Sequence, residues 1–272
     1  MATTHTIYSE MITVTPELAL EWLENANTRN RPLSQNHINK LARDMKNGHW
    51  KLTHEGIAFD PSGVLLDGQH RLWAIVESQT TQSMMVFFNI PKESVLFIDS
   101  GRSRTVVDIL KLANRDGHVS SHHTSTLRAM LGGFGTPPTL TVQETSELLA
   151  KHRPAVEFAV KHLSCGQVKG ICNATTRAVI ARAWYSADHD RLIQFCDILT
   201  SGIVGHIPSA IVIVALRQSL MMTQDGSAAA RRQRYGKTQR ALRAFLNDEP
   251  VGKLVCSTRE LYPLPDEKRK TA

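Results

Sequence analysis

The stretch Gly63-Val64-Leu65-Leu66-Asp67-Gly68-Gln69-His70-Arg71-Leu72-Trp73-Ala74 decides how this chain is read. Three apolar residues run into a glycine turn, and Leu72, Ile75 and Val76 then fall on one stripe, so the pattern is strand, sharp turn, helix. Glycine at position 68 lets the backbone turn tightly and lets a ligand approach it. The helix start beyond it offers N–H groups and a partial positive charge, and Arg71 adds a permanently charged planar fork suited to phosphate oxygens. The plainer alternative is an ordinary strand-to-helix turn with a surface arginine.

Upstream, Thr15-Pro16-Glu17 has the form of a helix start: a capping hydroxyl, proline at the first helical position, then an acid facing the positive helix end. That helix gives way to the polar run Asn27–Pro32, which holds Arg29 and Arg31. Ser34 caps a second helix with Ile38, Leu41, Ala42 and Met45 on one face, and Gly48 ends it. Gly56–Asp60 and Val64–Leu66 read as two short strands joined by the turn Pro61-Ser62-Gly63.

Downstream, Ser83–Ile90 reads as a central buried strand and Val95–Ile98 as a further short one. The segment Asp99-Ser100-Gly101-Arg102-Ser103-Arg104 then leads to Thr105 and Asp108, a capping-box-like helix start. From about residue 116 strand signals vanish. Helices are expected at roughly 121–131, 141–163, 173–186, 190–200, 207–223 and 229–246, with Thr141 and Glu144 as a capping box. The fold class is therefore α+β: a small mixed-sheet domain over residues 1–115, then an all-helical domain over 116–272. The tail from Leu261, with Pro263, Pro265 and Lys268-Arg269-Lys270, is expected to be loose.

Of the 272 residues, 42% are hydrophobic and 21% charged, as in soluble globular proteins, and no apolar run is long enough to span a bilayer. The N-terminus resembles no signal peptide. Cys165, Cys172, Cys196 and Cys256 form no close pair, which argues against a zinc cluster or a disulfide framework and fits a reducing cytoplasm. The net charge of +7 is unevenly placed: residues 1–115 hold 12 basic and 12 acidic residues, and residues 116–272 hold 20 and 13. Such an excess fits a polyanionic partner, or equally a solubilising surface.

Asp67, Gly68, His70 and Arg71, within about residues 10–110, resemble the signature of the ParB/sulfiredoxin superfamily, of a type found in phage and mobile-element genomes. Its members include CTP-binding partition proteins, ATP-using sulfiredoxins and a free-serine kinase. The resemblance implies a ParB/sulfiredoxin-like fold whose turn, Gly68-Gln69-His70-Arg71, cradles the phosphates of ATP or CTP with Mg2+. Sulfiredoxins carry a cysteine in this turn, and Gln69 here removes their sulfinic-acid chemistry. Gly101, Arg102 and Arg104 stand where ParB proteins keep a second phosphate-contacting motif; the plain alternative is a basic loop.

Glu55 and Asp67 are candidates for holding a metal ion or a proton, with His70 orienting an oxygen; a solvated acid is the alternative for Glu55. In the 229–246 helix, Arg231, Arg232, Arg234, Lys237, Arg240 and Arg243 precede the first acid at Asp248, which suits a DNA backbone or a solvated face. His122-His123 reads as a plain helix start. The leading expectation is a nucleotide-binding protein with NTP hydrolysis or phosphoryl transfer, acting on or beside DNA. The rivals are a non-catalytic DNA-binding accessory or regulator and a ParB-like nuclease, and a homodimer is compatible with each.

Overall fold

The computed structural model describes residues 6–28, 30–98, 104–113, 119–164, 170–205, 207–222 and 225–268. The chain divides into two compact units, Met1–Arg104 and Thr105–Ala272.

The first unit opens with β1 (Tyr8–Val14), α1 (Pro16–Ala26) and α2 (Gln35–Lys46). The hairpin β2 (Ile57–Phe59) and β3 (Leu65–Asp67) follows, then α3 (Gln69–Ser78) and β4 (Gln82–Phe88). The four strands form a mixed sheet in the order β1-β4-β2-β3. β4 pairs antiparallel with β1 (Met11 opposite Met85) and parallel with β2 (Ile57 opposite Val86), so it holds the interior place expected of Ser83–Ile90. β2 and β3 are antiparallel. The hairpin turn is held by Asp60, whose Oδ1 accepts from the N–H groups of Ser62 (2.8 Å) and Val64 (2.9 Å). α1, α2 and α3 bury Leu23, Met45, Leu72 and Ile75 in one core with Ile57, Leu65 and Val86.

Thr15 caps α1 through Leu18 N–H, as its sequence indicates. Ser34 stands at the α2 N-cap, but its hydroxyl makes no capping bond. The strand expected at Val95–Ile98 is instead a 3-10 helix over Lys92–Leu96. Leu96 and Phe97 are three-quarters exposed, and apolar residues with no neighbouring strand cannot be held extended.

The second unit contains α4 (Val106–Ala113), α5 (Ser121–Gly132), α6 (Val142–His162), α7 (Ala174–Ala183), α8 (His189–Ser201), α9 (Ile211–Met222), α10 (Ala228–Leu246) and α11 (Pro265–Lys268). No strand occurs in it among the described residues. The capping boxes read from Thr105 with Asp108 and from Thr141 with Glu144 both form. α4 buries Leu110 in the helical core, so the unit boundary falls N-terminal to the polar stretch at Asn114–Gly117.

Two expectations are corrected here. The segment after Leu261 is docked rather than loose as far as Glu267: Tyr262 and Leu264 are buried, and Arg182 of α7 holds this segment down. Arg182, 2% exposed, donates to the carbonyls of Met130 (2.5 Å) and Tyr262 (2.9 Å) and pairs with Glu260 and Glu267. The second correction is Cys172, which is disulfide-bonded, while Cys196 and Cys256 are free. Spacing along a chain does not report which sulfur atoms meet in space. Among the described residues, no helix is long and apolar enough to cross a membrane.

Candidate functional site

α3 begins where its sequence places it. Gly68 is its N-cap with φ 103°, a left-handed conformation that glycine adopts at low cost. A Cβ there would lie 3.0 Å from Ile57 Cγ1 and 3.2 Å from Ile57 Cα, so glycine also lets the turn sit directly on β2. Having no side chain, Gly68 leaves the first turn of α3 without a side-chain cap. Its own N–H donates to Asp67 Oδ1 at 2.6 Å.

Arg71 is not a surface arginine, the plainer alternative its sequence allowed. Its side chain is 15% exposed, and Nη2 donates both to the Gly56 carbonyl (2.6 Å) and to Asp67 Oδ2 (2.8 Å). Nη1 lies 3.6 Å from Glu55 Oε2, on a side chain 69% exposed. Two carboxylates therefore flank one guanidinium. A fixed cation thus lies between the two acids read as a metal pair. No group of three or more potential metal ligands occurs among the described residues.

His70 and Gln69 turn inward. His70 Nε2 accepts the Ser34 N–H at 3.0 Å, which puts the neutral ring's proton on Nδ1. Its pKa is lowered, first by burial and then by His37, Arg31 and Arg71, against an opposing contribution from Asp67. Gln69 Nε2 donates to the Arg31 carbonyl (3.0 Å). Asn30, from the same loop, donates to the Leu65 carbonyl (2.9 Å) and to Asn27 Oδ1 (2.6 Å). The loop between α1 and α2 is thus stitched over the β3–α3 turn. Ser34 was read only as a helix cap, and Asn27 and Asn30 were not singled out in the sequence. Their only signal was a polar run too short for helix or strand.

No family model, curated protein or solved structure matches the chain.

The other candidates are distributed as follows. Gly101 and Arg102 lie outside the described residues, as does Arg29; Arg104 is described and exposed. On α10 the six basic residues do not share a face, since at about 100° per residue their positions are spread round the whole helix. Arg231 donates to the Gly133 (3.1 Å) and Gly135 carbonyls, and Arg234 to the Asp225 carbonyl (2.7 Å). Lys237 donates to Ser219 Oγ (2.8 Å), and Arg240 pairs with Glu249 (2.8 Å). Arg232 is exposed, and Arg243 lines a crevice described below. α10 is a central helix that buries Tyr235, Leu242 and Phe245, and most of its basic side chains bind partners within the fold. His123 closes a capping box with Ser120, in keeping with a plain helix start, and His122 Nδ1 lies 3.4 Å from Arg177 Nη1.

Proposed function

We propose that the strand–turn–helix over Leu65–Ser78 is the phosphate-binding element of a nucleotide-binding protein of ParB/sulfiredoxin-like type. On this reading the protein works beside nucleic acid and holds ATP or CTP without turning it over. One observation carries it: α3 opens on a left-handed glycine with no side-chain cap, directly beside Arg71. A first helical turn of that kind, next to a guanidinium, is a favourable place for an oxyanion.

What argues against turnover is that neither Glu55 nor His70 is a free base. Glu55 is largely in water and linked to Arg71, and His70 Nε2 is occupied by the Ser34 N–H. The positive charge comes from Arg71, and no step is assigned to a metal. An arriving phosphate competes with Glu55 for Arg71 Nη1, while the Gly56 and Asp67 bonds hold Nη2 in place.

Titration calorimetry with ATP, CTP and GTP against the wild type and Glu55→Gln tests this. Removing the competing carboxylate is expected to raise affinity by about twofold to fivefold, the scale of an exposed ion pair. A Glu55→Gln variant that binds equally well but turns over about a hundredfold more slowly identifies a catalytic base and replaces the binding reading with the enzymatic one. A wild type that binds none of the three triphosphates overturns both.

A further inference from the structure

Gly236 lies in the interior of α10, where glycine costs about 1 kcal/mol relative to alanine. The packing explains it. A Cβ at 236 would fall 2.3 Å from Cys256 Sγ and 2.5 Å from the Ser257 carbonyl oxygen. Glycine thus lets residues 256–261 lie flat on the helix. Ser257 N–H donates to the Gly236 carbonyl (3.2 Å), Leu261 N–H to Gln239 Oε1 (2.8 Å), and Gln239 Nε2 to the Arg259 carbonyl (3.5 Å). Ser257 Oγ donates to the same Arg259 carbonyl (2.8 Å).

This strap and the helix enclose a crevice of about 310 Å³, into which Arg240, Arg243 and Arg259 converge with Ser257 and Thr258; no acid lines it. Glu249, just outside, pairs with Arg240. Its carboxyl is held below the usual range, first by a hydrogen bond from Asn247, then by one from Arg240, then by the charges of Arg240 and Arg243. One acid therefore answers three guanidinium groups. Neither Arg243 nor Arg259 has a carboxylate within 4.0 Å among the described residues. Cations gathered this way repel one another until an anion joins them. The planar forks of arginine match the oxygens of a tetrahedral oxyanion.

We infer that the crevice between α10 and residues 256–261 is a phosphate site, occupied by a phosphodiester of a nucleic-acid strand or by a free phosphate. It lies wholly within the second unit and does not depend on the nucleotide reading of the first. Glu55→Gln leaves it unchanged.

The test uses the full chain with two probes, a short fluorescent DNA duplex and inorganic phosphate. Duplex binding is followed by anisotropy at two salt concentrations, and phosphate binding by the amide resonances of Ser257, Thr258 and Arg259. Arg243→Gln and Arg259→Gln are each expected to weaken duplex binding several-fold and to lower the salt slope by about 1. Arg259→Lys is expected to retain most of the affinity, because a backbone phosphate accepts a point charge. Arg232→Gln, on the same helix but outside the crevice, is expected to change affinity by less than about twofold. Duplex that displaces bound phosphate identifies the strand as the source. Saturable phosphate binding that duplex does not displace identifies free phosphate. Amide resonances that respond to neither probe, or binding unchanged in both crevice variants, overturn the site. Arg259 is exposed, so its replacement leaves the core intact and keeps the test decisive.

Discussion

Gly68 and Gly236 each let another piece of backbone come close, and each does so beside arginine, but the two sites balance their charge in opposite ways. At the turn, Arg71 is flanked by Asp67 and Glu55 and bonded to a carbonyl, so its charge is answered from within the fold even though its buried Nε has no hydrogen-bond partner. In the crevice, Arg243 and Arg259 converge, and neither has a carboxylate within 4.0 Å among the described residues. An arginine that already has its anions stabilises the fold. Arginines brought together without anions depend on something from outside to neutralise them.

The largest effect that separates the two sites is expected from Arg71→Ala. It leaves Asp67 and the Gly56 carbonyl without their donor and should cost about 2–3 kcal/mol, less than a fully buried pair because Asp67 and Glu55 keep contact with water. Urea unfolding followed by tryptophan fluorescence reports it well, since Trp22, Trp50 and Trp73 all lie in the first unit. If stability changes by less than about 0.5 kcal/mol, Arg71 is a surface residue after all and the contrast collapses.

Gly236→Ala comes next. The added methyl meets backbone and sulfur at distances that force the strap away, and overpacking of this kind costs about 1–3 kcal/mol, against about 1 kcal/mol returned by helix propensity. The response of the Ser257–Arg259 amides to phosphate should be lost with it. A stabilised variant with its phosphate response intact breaks the argument that glycine builds the crevice.

Acidification is expected to have the smallest effect and, of the two sites, to act on the turn alone, because no histidine lines the crevice. Burial lowers the folded pKa of His70 below its unfolded value near ~6.5, so the unfolded chain takes up the proton first. The neutral ring's contribution is present above that value and is lost as pH falls through the folded pKa. Lowering pH from 7 to about 5 should destabilise the first unit, and His70→Gln should flatten that dependence. A first unit that gains stability over this interval contradicts the buried, neutral assignment. Phosphate binding in the crevice should persist across it.

The elements that were legible in the sequence are those whose determinants are local. Thr141 with Glu144, Thr105 with Asp108, and the stripe on α3 lie within a turn or two of each other, so propensity and capping chemistry identify them. The determinants that stayed hidden act across the chain. Arg71 reads as a residue with its whole fork free until Gly56, 15 residues away, is found at its Nη2. The basic run on α10 reads as one surface until four of its six side chains are traced to partners within the fold. β1 escaped notice because six of its seven residues are at least partly exposed, leaving only Val14 as a buried mark. The apolar Val95–Phe97 segment misled in the opposite direction, being rich in strand formers but lacking a strand to pair with.

Arg182 carries a consequence for the order in which the molecule is made. Its partners Glu267 and the Tyr262 carbonyl lie 85 and 80 residues further along the chain, and it is 2% exposed once they arrive. During synthesis α7 therefore leaves the ribosome with a guanidinium it cannot yet bury, since hiding an unpaired charge costs several kcal/mol. The helical unit is expected to stay open at that point until residues 260–267 emerge, while the turn around Arg71 finds all of its partners within the first unit. Chains stalled between α7 and residue 260 should thus present a folded sheet unit joined to helices still accessible to chaperones and proteases.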